Sequence, residues 1–302
     1  MAHADRDVKG VLLVDKPAGM TSHDVVNRIR RAAQTRRVGH TGTLDPAATG
    51  LLILCIGPAT RLSEFLTGLD KTYEGTMRLG VTTDSYDLDG VVQAERSVPQ
   101  LDAQAIQDIC NRFIGAIQQV PPMVSAVKVD GERLYQRARK GEVVEREPRG
   151  IHVHEFSVLS YEAPDARFRL RCSSGAYARS LCHEVGELLG CGAALAGLRR
   201  TAVGRHTIDE ATPLDQFDAP EAVSAKLVPM GAALDLPRVV LIDAGVQVAL
   251  SGGVLDRRHF RDACPVDQGW VQLLDHAGDL VAVGEALLGA RVQPRRVLRE
   301  RH

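Results

Sequence analysis

The chain has 302 residues, 44% of them apolar and 25% charged, and a formal net charge of −1 at pH 7, so it can bury a substantial core and exceeds what one compact domain usually needs. Near-neutrality excludes a uniformly basic nucleic-acid binder, while the polar stretch Met1 to Lys9 and the lack of any apolar run of about 20 residues exclude a signal-peptide core and a membrane-spanning helix. The expected address is the cytoplasm, and the cysteines at 55, 110, 172, 182, 191 and 264, with no Cys-x-x-Cys, are expected to be reduced core residues.

Along the chain, Gly10 to Asp15 reads as a short buried strand, and Lys16-Pro17-Ala18-Gly19-Met20 as the turn after it. Thr21-Ser22-His23-Asp24 has capping-box spacing. It opens a helix with Val25, Val26, Ile29 and Ala33 on one face and Arg28, Arg30 and Arg31 on the others. Val38-Gly39-His40-Thr41-Gly42-Thr43-Leu44-Asp45-Pro46-Ala47-Ala48-Thr49-Gly50 then sets one carboxylate among small, turn-forming residues ahead of the buried strand Leu51 to Ile56. Pro46 biases Asp45 away from helix, so this loop can present the carboxylate rigidly, although such clusters usually mark ordinary turns.

Lys71 to Leu79 reads as a strand whose parity puts Tyr73 with Met77 and Leu79 on the apolar face. Asp84 to Gly90 superficially suggests calcium, but its acids do not alternate and no Glu follows at the twelfth loop position, so a turn closing at Asp89-Gly90 is expected. Ile106, Ile109, Cys110, Phe113, Ile114 and Ile117 predict one core helix, started by Asp102 and ended around Val120-Pro121-Pro122. Ser125 to Arg149, with an Asp130-Gly131 turn and an Arg-rich stretch, reads as an insertion that grips something.

Phe168, Leu170 and Cys172 alternate as a strand, and Leu181, Val185, Leu188 and Leu189 mark a helix closing at Gly190. Arg179 falls in its first turn. A cation there opposes the helix dipole and asks for a carboxylate or phosphate partner. Cys172, Cys182, His183 and Cys191 match no usual zinc spacing and read as packing residues. Prolines 213, 220, 229 and 237 punctuate a connector, followed by a small module with strands at Val239 to Leu241, Trp270 to Leu274 and Leu280 to Val283 and a hairpin turn at His276 to Asp279. Three basic segments, Arg28 to Arg37, Arg133 to Arg149 and Arg291 to Arg301, make a phosphate-binding path plausible.

Taken together, Gly10 to Ser22, Gly39 to Gly50, Lys71-Thr72-Tyr73, Gly80 to Gly90, Ser173-Ser174-Gly175-Ala176-Tyr177-Ala178-Arg179 and Leu198-Arg199-Arg200 resemble the TruB family of tRNA pseudouridine synthases, which isomerise the T-loop uridine (position 55 of tRNA) to pseudouridine. The resemblance implies an α/β (α+β) fold with a central, mostly antiparallel mixed sheet, a catalytic domain over residues 1–230 carrying an RNA-gripping insertion at about 121–150, and a β-rich, PUA-like RNA-binding domain over 237–302. It implies Asp45 as the catalytic residue and Arg179 as its bidentate partner. Tyr73 becomes the platform for the flipped uracil, His40 the group that takes the place of the flipped base, and Leu198, Lys16 and Pro17 substrate-binding residues. It also implies tRNA, through its T-arm stem-loop, as partner, with no guide RNA, no metal and no cofactor, and a monomeric enzyme. The residues leave open whether the carboxylate attacks uracil C6, attacks ribose C1′ or assists an elimination. The rival reading is a noncatalytic RNA-binding or tRNA-folding protein.

Overall fold

The computed structural model describes residues 8–123, 128–129, 132–133, 144 and 146–299. The Asp130-Gly131 turn, the middle of the Arg133 to Arg149 stretch, much of the 121–150 insertion and Arg301 lie outside the described residues.

Two unbroken apolar runs form the centre. β1 (Gly10–Lys16) lies antiparallel to β3 (Thr49–Ile56), in register from Gly10 opposite Ile56 to Lys16 opposite Gly50. Both strands are covered on both faces, which is why neither alternates with polar residues. On one side Leu12, Val14, Leu52 and Leu54 meet Val25, Val26 and Ile29 of helix α1 (Ser22–Ala32). On the other, Val11, Leu13, Leu51 and Ile53 meet Leu62 and Leu66, and also Leu274, Leu280, Val283 and Leu298 from the far end of the chain. Helix α1 starts where the capping box predicts, with Thr21 as N-cap and Asp24 answering it.

The remaining strands are β2 (Val38–His40), β4 (Lys71–Leu79), β5 (Val81–Thr83), β6 (Val92–Glu95), β7 (Gly115–Gln119), β8 (Lys128–Val129), β9 (Glu132–Arg133), β10 (Arg149–Glu162), β11 (Asp165–Cys172), β12 (Ala193–Val203), β13 (His206–Thr207) and β14 (Thr212–Pro213). The main sheet runs β14-β1-β3-β12-β4-β11-β10-β7, with β2 on β3 and β13 on β12. Among its described pairs β14/β1 and β12/β3 are parallel and the others antiparallel, the mostly antiparallel mixed sheet that the resemblance implies. Helices α2 (Ser63–Thr67), α3 (Ala103–Asn111), α4 (Ala178–Leu188) and α5 (Pro220–Ala225) accompany it. Because β7 and β10 pair from Gln119 opposite Arg149 onward, the Arg-rich segment between them leaves and re-enters at one sheet edge.

One expected element is divided. The stripe from Ile106 to Ile117 is a helix only as far as Asn111, after which Gly115, at φ 104°, turns the chain into β7, where Ile117 lies opposite Ile151. Ile114 and Ile117 continue the three-residue spacing by coincidence. A glycine in the left-handed region supplies the break that the apolar count could not see.

A second sheet follows: β15 (Arg238–Val240), β16 (Gly269–Leu274), β17 (Leu280–Leu287) and β18 (Arg291–Val297), in that order, with helix α6 (Asp243–Leu250) against it. The fourth strand was not among those expected, since Pro294 and its arginines interrupt the apolar pattern that marks the others; at a sheet edge both are tolerated, with Val292 and Pro294 turned inward. This sheet joins the first through the shared core named above, an edge-on contact of Phe65 with Trp270 (centroids 4.9 Å) and an ion pair between Arg296 and Glu64.

Candidate active site

The Asp45 loop connects the β2–β3 hairpin, and it is pinned by cations bonded to its backbone. Lys16 Nζ donates to the carbonyls of Pro17 (2.8 Å), Pro46 (3.1 Å) and Ala48 (2.7 Å). Arg200, from β12, donates through Nε to Leu51 O (2.7 Å) and through its terminal nitrogens to Gly42 O (3.1 Å) and Thr43 O (3.4 Å). Ser22, the first residue of α1, accepts from Leu44 N–H (2.8 Å) and donates back to Leu44 O (3.1 Å). Gly50 lets β3 and β12 meet: a Cβ there would stand 2.3 Å from Arg200 O, and its φ is 100°.

Arg179 sits in the first turn of α4 with its guanidinium buried, and it has the anionic partners its position demands. Nη2 is 3.1 Å from Asp45 Oδ2, Nη1 is 3.3 Å from Asp87 Oδ2, and Nη1 donates to Ser85 O at 3.1 Å. The start of α4 is itself fixed by buried Gln119, which accepts from Tyr177 N–H (2.8 Å) and donates to Tyr177 O (3.1 Å). The turn at Asp87 to Gly90 closes as expected, with Gly90 N–H donating to Asp87 O. Its acid Asp87, however, belongs to the site. Nothing in the local pattern of Asp84 to Gly90 marks it; the signal was Arg179, a buried cation whose charge one half-exposed carboxylate does not fully answer.

Tyr73 lies on the apolar face of β4 with Met77 and Leu79, half-buried between two cores, and Leu198 of β12 packs in the same place. Burial pushes the Tyr73 hydroxyl's pKa up, while the hydrogen-bonded Arg200 guanidinium pulls it down, so the phenol stays protonated at neutral pH. His40 ends β2, and its Nδ1 accepts from Gly42 N–H at 3.3 Å. Lys16, expected against substrate, is wholly enclosed and spends its ammonium on the loop's carbonyls; it positions Asp45. Burial pushes its pKa down to about 8, with Asp45 holding it up. Pro17 is exposed, offering its carbonyl to Lys16.

The side chain of Asp45 is 47% exposed, open to the cleft on one side and walled by protein on the other. That wall raises its pKa above the usual carboxylate range, Arg179 and Lys16 pulling it back and Asp87 and Asp89 adding to the rise. The result is a carboxylate more basic than a free one, aimed by a guanidinium and facing open space beside an aromatic ring. Such a group can act as a nucleophile or as a base at a glycosidic carbon. Among the described residues no group of three or more His, Cys, Asp or Glu has metal-binding geometry, and Cys172, Cys182 and Cys191 lie in the core under β4 and α4.

The basic segments differ. Arg30 donates to Val38 O (3.0 Å) beside the loop, whereas Arg295, Arg296 and Arg299 of the last segment are paired with Glu285, Glu64 and Asp275.

Residues 30–178 match the TruB family pseudouridylate synthase (N terminal domain), and residues 179–235 the tRNA pseudouridylate synthase B C-terminal domain. The border between the two matches falls at Arg179, inside the main sheet's own helix layer. A tRNA pseudouridine synthase B of Opitutus terrae is 50% identical over 233 residues, 76% of this chain and 96% of that protein. One of Cupriavidus metallidurans is 44% identical over 301 residues, 97% of this chain and 95% of that protein. Among solved structures, a chain in a crystal structure of a Cbf5–Nop10–Gar1 complex superposes with a TM-score of 0.74 at 27% identity, covering 97% of this chain and 85% of that one.

Proposed function

The chain belongs to the TruB family of pseudouridylate synthases, and from that premise we propose that it isomerises the T-loop uridine of tRNA with Asp45 as the reacting carboxylate. It is a tRNA pseudouridine synthase, an isomerase. The observation that carries the site is the Asp45–Arg179 pair at 3.1 Å, a buried guanidinium holding a half-exposed carboxylate.

A uridine in folded RNA must leave its stack before its glycosidic bond can be reached. His40 fills the place it vacates, and the uracil stacks on Tyr73 with Leu198 closing the pocket. The reaction breaks N1–C1′, turns the bound uracil and joins C5 to C1′, so atoms and electrons balance without an external group. Asp45 must be ionised to assist the cleavage. Arg179 keeps it so against its walls, and Lys16, Ser22 and Arg200 keep it in place.

The second sheet is a PUA-like RNA-binding domain following a catalytic domain that ends near residue 230. Two observations support that division: the family matches stop at 235, and β15 begins at Arg238. A groove along the seam between the two sheets carries Lys9, Arg37 and Arg238, suited to phosphates. The protein works as a cytoplasmic monomer on tRNA without a guide RNA.

The test is to incubate the protein alone with unmodified tRNA, or with an isolated T-arm hairpin, and map pseudouridine. One pseudouridine in the T-loop is expected, and none with Asp45→Asn, which still binds tRNA. Turnover by Asp45→Asn comparable to wild type would falsify the assignment of Asp45, and dependence on added guide RNA would overturn the stand-alone reading.

A further inference from the structure

We propose that Tyr86 and His183 are positioning residues for this reaction, their stacked rings locking the Asp84–Gly90 loop to helix α4 and so aiming Arg179 at Asp45. The inference rests on the reading of Asp45 and Arg179 as the reacting pair.

Tyr86 stands between the two groups through which its loop engages Arg179, the Ser85 carbonyl and the Asp87 carboxylate. His183 follows Arg179 on α4 by four residues, one helical turn, so both leave the same helix face. Their rings are nearly parallel, 12° apart, with centroids at 4.1 Å. One stack therefore joins the loop that supplies Arg179's partners to the helix that supplies Arg179.

Two features show that this contact is built at a cost. Tyr86 adopts φ 66°, a conformation that a bulky side chain avoids and that persists only where the surroundings enforce it. The surroundings are visible: Leu195 N–H donates to Tyr86 O at 2.9 Å, Leu88 N–H donates to Leu195 O at 3.0 Å, and the ring is caught by His183. His183, for its part, has its Nδ1 buried with no hydrogen-bond partner among the described residues. A polar atom left so is expensive, and the ring's evident use there is its flat face. Burial favours the neutral imidazole. Around it stand Glu187 of its own helix, favouring the charged form, Arg96 after β6, opposing it and paired with Glu187 at 3.0 Å, and Tyr86 on the ring face.

The stack bears on Asp45 through Arg179, which pairs with Asp45 and with the loop that carries Tyr86. Arg179 is the strongest influence pulling Asp45's pKa down. If the stack aims it, loosening the stack raises the pH at which Asp45 ionises, and the acid limb of the rate profile moves to higher pH.

The experiment measures single-turnover rates at saturating tRNA from acidic to neutral pH for Tyr86→Gly, Tyr86→Phe, His183→Ala and His183→Phe, with Asp45→Asn as reference, at a temperature where Trp270 fluorescence reports every variant folded. Tyr86→Gly relieves the backbone strain but loses the ring; the two Phe variants keep a flat ring. The expected result is a rate loss of about tenfold or more for Tyr86→Gly and His183→Ala, an acid limb displaced to higher pH and an unchanged tRNA affinity. Both Phe variants should stay within about threefold of wild type. Wild-type rates in Tyr86→Gly and His183→Ala, a rate loss without displacement of the acid limb, or Phe variants as impaired as the ring-less ones would each overturn the proposal. Turnover in Asp45→Asn would instead remove the reading beneath it, so the two failures are distinguishable.

Discussion

The two sheets use the same kind of side chain in opposite ways. Around the cleft, Lys16, Lys71, Arg179 and Arg200 are buried, and all four donate to backbone carbonyls. On the second sheet, Arg295 and Arg296 lie at the surface in ion pairs with Glu285 and Glu64. Burying a cation costs several kcal/mol unless its surroundings are arranged for it, and a surface pair contributes about 1 kcal/mol at most. The cleft has its cations placed where they are expensive. The difference locates the chemistry without reference to any motif, because a fold seeking stability alone would have used apolar residues there.

Substitutions can break this contrast in order of severity. Arg179→Lys should lower the single-turnover rate by about a hundredfold or more, since a point charge cannot serve Asp45, Asp87 and the Ser85 carbonyl together; rapid-quench kinetics at saturating tRNA checks this, and an unchanged rate would remove Arg179 from the site. Arg200→Met strands the carbonyls of Gly42, Thr43 and Leu51 and should cost about 2–4 kcal/mol in urea denaturation. A loss below about 0.5 kcal/mol would make Arg200 no more than a surface arginine in its effect.

Lys16→Met sharpens the contrast through pH. In the folded chain Lys16 ionises at about 8 rather than at the ordinary 10.5. Between those values the unfolded chain holds a proton that the folded one lacks, so the stability contributed by Lys16 rises with pH across that window. The denaturation midpoint of wild type relative to Lys16→Met should therefore climb from pH 8 to pH 10.5, a comparison from which Lys71, also pushed to about 8, cancels. A flat difference would contradict the buried ammonium. The smallest effect belongs to the other sheet: Arg295→Ala should change stability by about 0.5 kcal/mol or less and leave the rate unchanged, and a larger loss would erase the distinction between the two regions.

The parts of the site legible in the sequence were those whose meaning is local. Asp45 could be read from its loop, Tyr73 from strand parity, and the need of Arg179 for an anion from its place in a helix's first turn. Asp87, Arg200 and the Tyr86–His183 stack could not, because each acquires its role from an element far along the chain: Asp87 from α4, Arg200 from the hairpin around residues 42–51. Lys16 was legible as a residue of the site, but not its bonds to the loop, since a lysine before a turn does not reveal whether its ammonium faces solvent or carbonyls. In the fold, the doubly buried strands announced themselves by composition. The end of α3 and the whole of β18 did not, one hidden by a glycine, the other by arginines on a sheet edge.

The parallel pairing of β3 with β12 carries a consequence for the order in which the molecule is made. Thr49 lies opposite Arg199, and Arg200 reaches back 158 residues to Gly42, so the loop bearing Asp45 lacks part of its anchoring until the chain beyond residue 200 has arrived. β14 closes on β1 from later still, with Thr212 beside Val14. Contacts of such separation form slowly, after local helices and hairpins. A nascent or partly refolded chain would therefore carry every catalytic side chain and yet be inert, and recovery of activity should trail recovery of secondary structure during refolding.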